Sequence, residues 1–291
     1  MGVFGMYSNT DSYVYGVFGN TYFNSDQQRL LAGYAQGNIK NDYNYDHEDL
    51  GNINLLTTDD IKMLFTRFSQ RVYDDWFVGV QYINSTYIIS GGDPFSDWVL
   101  DLLDLNGFDS TALGLVVTFD SRDNQQSASS GHNFVLHNLA YREGLGGDVS
   151  FDSYMLDYST YIAHGNGHVL AINVKGRWTS DAPNSGFSSM DLRGYVRGQY
   201  LAEHSTHFEL DERYALTDRW GLTLFGGLGC LYGDKLVGDS ASCTDSENLF
   251  PSFGFGGLFV LKPKEKIVVR AEVAFGKEGN RGYYLTFGQP F

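Results

Sequence analysis

Between Lys266 and Phe275 the chain alternates residue by residue. Ile267, Val269, Ala271, Val273 and Phe275 share one side, and Val268, Arg270, Glu272 and Ala274 share the other. Successive side chains of a strand point to opposite faces, so this segment builds a wall that is apolar on one side and mostly polar on the other. Leu170, Ile172, Val174 and Trp178 repeat the pattern against Asn173, Lys175 and Arg177. Phe253, Phe255, Phe259 and Leu261 form a further row with glycines between them, and Tyr283, Leu285, Phe287 and Phe291 form the last. Alternation does not say which wall faces inward. The number of such strands and the small polar residues between them point one way. Faces of Gly, Asn, Ser and Lys cannot fill a wide interior with hydrocarbon, but they can line a wet one.

The expected fold is therefore all-β: a transmembrane antiparallel β-barrel, with 1–291 as a single barrel domain. Turn residues divide the chain into candidate strands near 12–23, 28–40, 60–71, 74–90, 111–121, 132–144, 150–163, 167–178, 204–216, 219–232, 249–262, 266–276 and 281–291. A barrel with both ends on one side needs an even number. These are thirteen, so the expectation is about twelve strands, the first segment not spanning, or fourteen if Gly2–Ser8 adds one. The short turn His164-Gly165-Asn166-Gly167 belongs to the periplasmic side. The long, polar Thr179–Glu203 and 233–248 connections belong to the outside. No helical domain is expected.

Composition fits an outer-membrane location. No uncharged apolar run approaches the roughly 18 residues that a membrane helix needs. A barrel strand shows lipid only at every second residue, so its mean hydropathy is unremarkable. Aromatic residues make up 15% of the chain, with 20 Tyr and 21 Phe, as girdles at two membrane interfaces require. The formal net charge of −15 argues against a nucleic-acid partner. Met1-Gly2-Val3 has neither a basic segment nor a long apolar run behind it, so Met1 reads as a start placed on a mature or excised domain. Cys230 and Cys243 lie 13 apart across a polar loop, a spacing that suits one loop-closing disulfide in an oxidising compartment.

Three segments resemble the bacterial surface-antigen family of outer-membrane assembly and translocation barrels. Gly114-Leu115-Val116-Val117-Thr118-Phe119-Asp120-Ser121-Arg122-Asp123-Asn124, followed by Gly131, is similar to the family's strand and Asp-Thr-Arg-Asp-Asn turn. Leu192-Arg193-Gly194-Tyr195, in the longest later loop, matches the aliphatic-Arg-Gly-aromatic motif. The ending Tyr283, Leu285, Phe287 and Phe291 resembles the signal by which such barrels are recognised for insertion. Five strands follow the Arg-Gly-Tyr loop, as in the family. The resemblance covers residues 110–291 well and the first hundred loosely.

The resemblance implies a loop folded back into the lumen, with Arg193 paired to acids on the wall. In His207–Tyr214, Phe208, Leu210 and Tyr214 face lipid by parity, and Glu209, Asp211 and Arg213 face inward. Asp211 and Arg213 match the family's acidic-x-Arg pattern, so an Arg193–Asp211 or Arg193–Glu209 pair is expected. There are two departures. The next strand reads Phe225-Gly226-Gly227-Leu228-Gly229, with Gly227 where the family often carries Asp, and the barrel is expected to stand without the family's periplasmic repeat domains.

For Asp120, Arg122 and Asp123 a charged periplasmic turn is the simpler role. His164 and His168 read as turn histidines rather than metal ligands, and neither Ser127-Ala128-Ser129-Ser130 nor Gly226-Gly227-Leu228-Gly229 has the context of a nucleophile elbow or a dinucleotide loop. No enzyme activity, cofactor or metal is expected. The expected role is assistance in inserting or translocating polypeptide, or moving lipid, at the cell outer membrane. Outer-membrane lipid, a client polypeptide and a homodimer are the expected partners. A passive plugged channel, or a barrel anchoring a partner, is the alternative.

Overall fold

The computed structural model describes residues 2–8, 10–47, 51–236, 240–263 and 266–291. The early strands are β1 (Gly2–Tyr7), β2 (Tyr13–Phe23), β3 (Gln28–His47), β4 (Gly51–Tyr73) and β5 (Trp76–Gly91). A helix, α1 (Pro94–Leu103), precedes β6 (Gly107–Asp120), β7 (Gly131–Tyr141), β8 (Phe151–His164) and β9 (His168–Ser180). After the two-residue β10 (Ser188–Ser189) come β11 (Leu201–Ala215), β12 (Trp220–Lys235), β13 (Leu249–Lys262), β14 (Ile267–Phe275) and β15 (Arg281–Phe287). The strands follow one another in chain order within one sheet, with β10 alone off the path, on β11. Fourteen strands lie on that path among the described residues, rather than twelve. Two strands supply the difference: β2 is part of the sheet, and Gly2–Tyr7 pairs antiparallel with it from Gly2 opposite Phe18 to Tyr7 opposite Tyr13.

Alternation ends the third strand near residue 40, yet β3 and β4 stay paired from Asn38 opposite Asp60 to His47 opposite Gly51. At the start of that stretch the Asn38 amide donates to Asp60 at 2.8 Å. Backbone pairing does not need the apolar alternation that marks the lipid band.

The helix α1 was not expected, although its start is written locally. Asp93 caps it, accepting from the amides of Phe95 and Ser96 at 2.9 and 3.0 Å, and Pro94 stands in the first turn, where a missing N–H costs nothing.

The chain forms two compact units. The first comprises 1–116, 137–154 and 179–187, and holds β1–β5 and α1. The second comprises 117–136, 155–178 and 188–291, and holds β11–β15.

In the second unit the usual burial order is inverted. Glu209, Asp211, Arg213, Arg270 and Glu272 are buried, while Phe208, Leu210, Leu222, Leu224, Phe253 and Phe255 on the other face are exposed, Leu224 by 65%. Register places these rows on opposite faces: Glu209 stands opposite Gly227, Thr223 opposite Gly256, and Gly256 opposite Glu272. A face of large apolar side chains left open, over a polar interior, belongs against hydrocarbon.

Candidate functional site

Residues 188–200, from β10 up to β11, lie on the polar face of β11–β14. This loop is held by its backbone as well as by Arg193. The Gly194 amide donates to the Tyr284 hydroxyl at 2.8 Å, and the Ser252 hydroxyl donates to the Arg193 carbonyl. Tyr195 donates its hydroxyl to the Pro251 carbonyl at 2.5 Å and accepts from the Lys277 amide at 2.9 Å. Gly194 has φ +101°, and a Cβ there would stand 3.0 Å from the backbone of Phe275. Both facts call for glycine after the arginine. Met190, Leu192 and Tyr195 are buried in a cluster with Leu231 and Phe250.

Arg193 reaches three carboxylates. Its guanidinium lies 2.7 Å from Glu209, 3.2 Å from Asp211 and 3.0 Å from Glu272, and its Cζ lies 3.5 Å from the centroid of the Phe225 ring. The two expected partners are therefore both present, and β14 adds a third. Arg270, fully buried, bridges Asp211 at 2.8 Å, Thr223 at 3.1 Å, Glu272 and Gln289. Arg213 lies 3.9 Å from Asp211 and donates to the carbonyls of Ala128 and Phe291. Thr223 donates to the second Asp211 oxygen at 2.6 Å.

Three cations thus face three anions, an arrangement that makes buried charge tolerable. Alternation puts Arg270, Glu272 and Tyr284 on the polar wall, but it carries no information that they meet a loop some eighty residues upstream.

The Gly227 departure has a steric counterpart. A Cβ at Gly227 would stand 2.7 Å from the Phe208 carbonyl oxygen and 3.0 Å from Leu192 Cδ1. The loop's aliphatic residue occupies the space, and Glu272 supplies a carboxylate from β14. Beside Arg193 a cavity of about 200 Å³ is lined by Asn173, Lys175, Asp191, His207 and Tyr284, among others.

The turn and disulfide candidates lie apart from this network. Arg122 grips both oxygens of Asp120 at 2.8 and 2.9 Å. Asp123 accepts from the amides of Ser129 and Ser130 and the Ser129 hydroxyl, and pairs with Lys266 at 2.9 Å. Burial acts to raise the Asp123 carboxyl, but the Lys266 ammonium and these donors outweigh it and hold the group well below the usual carboxylate range. Both features organise a turn. Cys230 and Cys243 are disulfide-bonded, with Cα atoms 5.7 Å apart.

Tyr283, Leu285 and Phe287 are exposed on the apolar face, Leu285 by 73%. Phe291 leaves that row: β15 ends at Phe287, Gly288 takes φ +94°, and Phe291 packs against the cluster of Ala128, Tyr161, Val169 and Ala171. His164 pairs with Glu212 at 2.9 Å, and His168 accepts from the Ala215 amide.

No family model matches the sequence, and no curated protein sequence matches it. Two solved structures superpose on nearly the whole chain. BamA from Haemophilus ducreyi lacking POTRA domains 1–3 aligns with TM-score 0.57 and 13% identity over 96% of this chain and 62% of that one. CdiB from Acinetobacter baumannii aligns with TM-score 0.59 and 8% identity over 95% of this chain and 49% of that one. The chain thus spans less than two thirds of either. What is shared is the fold, that of a transmembrane antiparallel β-barrel.

Proposed function

We propose that this chain is a barrel of the outer membrane that assists the insertion or translocation of polypeptide, or the movement of lipid, with the 188–200 loop as its internal latch. The observation that carries the reading is Arg193 held by Glu209, Asp211 and Glu272 on two different strands. A latch of this kind fixes the loop while its charges stay paired. When the loop moves, three carboxylates and two remaining arginines must find water or a new partner. The role is non-catalytic, with lipid and a client polypeptide as partners; a homodimer would cover strand edges that are costly to leave unpaired in lipid.

The test uses the full chain reconstituted in liposomes, with the folding of an unrelated outer-membrane barrel as readout. Wild type should accelerate client folding and Arg193→Ala should lose most of that acceleration while its own barrel stays folded. Equal acceleration by both would remove the latch from the mechanism. The polar cavity beside Arg193 favours a second reading, a channel plugged by the loop. A rise in single-channel conductance in Arg193→Ala, with no effect of wild type on client folding, would select it.

A further inference from the structure

The first unit carries a feature that the latch does not use. Along β1–β3 both faces are apolar. One face shows Val3, Tyr15, Val17 and Tyr34, and the other shows Phe4, Phe18, Leu31 and Ala35. The second set shares its face with the buried wall of β4 and β5, since Gly33 stands opposite Phe65, Phe65 opposite Ile83, and Arg67 opposite Gln81. Strands apolar on both faces are strands with an apolar medium on both sides. Here that medium cannot be side chains of the same wall, because Phe4 and Phe18 remain about half exposed. A groove of about 280 Å³ runs between Phe4, Phe18, Leu31, Met63 and Phe65, with Gly33 and Ala35 along it.

A cation stands beside the groove's lining residue Leu31. Arg67 stands directly opposite Leu31 on the groove's face, with its Cζ 5.3 Å from the Phe65 ring centroid. Its Nε and Nη2 donate to the Gln81 side-chain oxygen at 3.1 and 2.8 Å. Gln81 is itself fixed, since its amide nitrogen contacts the Asn138 carbonyl and His137 Nδ1. Among the described residues no carboxylate pairs with Arg67, whereas its neighbours Arg29 and Arg71 share Asp26. A partly buried guanidinium with only a neutral partner leaves its charge uncompensated.

We infer that this face binds a single long-chain fatty acid. Its acyl chain lies in the groove over Gly33 and Ala35, between Phe4, Phe18 and Phe65, and its carboxylate meets Arg67. A hydrocarbon tail supplies the medium that the second apolar face lacks, and the head supplies the missing anion. The site stands on residues of the first unit alone, so its failure would leave the latch untouched.

The experiment uses the full chain in nanodiscs of zwitterionic lipid, with cis-parinaric acid as the fluorescent probe. Palmitate, palmityl alcohol and phosphatidylglycerol are the competitors. Saturable binding near one probe per chain is expected, with palmitate displacing it at least roughly ten-fold more strongly than palmityl alcohol, the effect of about one charge-assisted contact. Arg67→Gln should weaken binding by a similar factor and Arg67→Lys should retain it. Ala35→Trp, which fills the groove opposite Met63 and Gly16, should abolish it. Val78→Trp on the other face should not.

Folding of each variant is checked by its heat-dependent gel mobility. Displacement by palmitate and not by phosphatidylglycerol is expected, and displacement by phosphatidylglycerol alone would make the occupant a membrane lipid and overturn the inference. Equal competition by palmityl alcohol, no saturable binding by wild type, or a groove that crosslinks to a second copy would each overturn the inference.

Discussion

Arg270 offers the sharpest test of the charge network, because unlike Arg193 it sits on the wall and cannot swing out to water. Its side chain is fully buried between Asp211 and Glu272, which are 0% and 2% exposed. Arg270→Met keeps the volume roughly constant and leaves Arg193 and Arg213 facing three carboxylates. Removing one partner of a buried pair and stranding the other costs about 3–5 kcal/mol, or roughly two to four orders of magnitude in the folding equilibrium. Adding Glu272→Gln restores the charge balance, so the double variant should recover about 2 kcal/mol or more of that loss. The assay is reversible urea unfolding in lipid vesicles followed by tryptophan fluorescence, for wild type, both single variants and the double. A single-variant loss below about 1 kcal/mol, or a double variant no more stable than Arg270→Met, would refute the view that these charges act as one buried, compensated unit.

Arg193→Met should destabilise the barrel less than Arg270→Met, since the released loop can carry its segment to water, but should make 188–200 cleavable by added protease; equal protection would count against a latch. Restoring an acid through Gly227→Asp should destabilise by about 1–3 kcal/mol, because its Cβ meets the Phe208 carbonyl and Leu192; an unfolding midpoint at or above wild type would contradict the steric account. Acid should weaken the Asp123–Lys266 tie. A carboxyl held below its unfolded value stabilises above that value, near pH 4, and the contribution fades as pH falls. Between about pH 6 and about pH 3, wild type should therefore lose more stability than Asp123→Asn. Parallel pH profiles would show that the tie adds nothing.

Much of this architecture is local and so was legible in the chain. Alternation over Lys266–Phe275 and His207–Tyr214 assigns Arg270, Glu272, Glu209, Asp211 and Arg213 to one wall without any tertiary knowledge. The Arg-Gly pair carries its own reason, because the backbone at Gly194 needs a positive φ. The first strand was harder. Gly2–Tyr7 is six residues long and apolar on both sides, so periodicity does not mark it, and only its pairing with β2 does. Likewise the helix α1 has a legible cap in Asp93 and Pro94, but it falls in an interval that strand spacing treats as a connection.

By itself the sequence determined which side chains share a face, because that depends only on the two-residue period of an extended backbone. It also determined where the chain turns, and its resemblance to a known family implied that the loop arginine would meet a carboxylate. The tertiary structure bore out by burial the inward face that strand number and small polar residues already pointed to, parity alone being symmetric between inside and outside. It alone decided that Glu272, 79 residues from Arg193, completes the network, and that Phe291 folds back onto Ala128 and Tyr161 instead of continuing the row of Leu285 and Phe287. Contacts between distant segments follow from how strands stack across a sheet, and no local period encodes them.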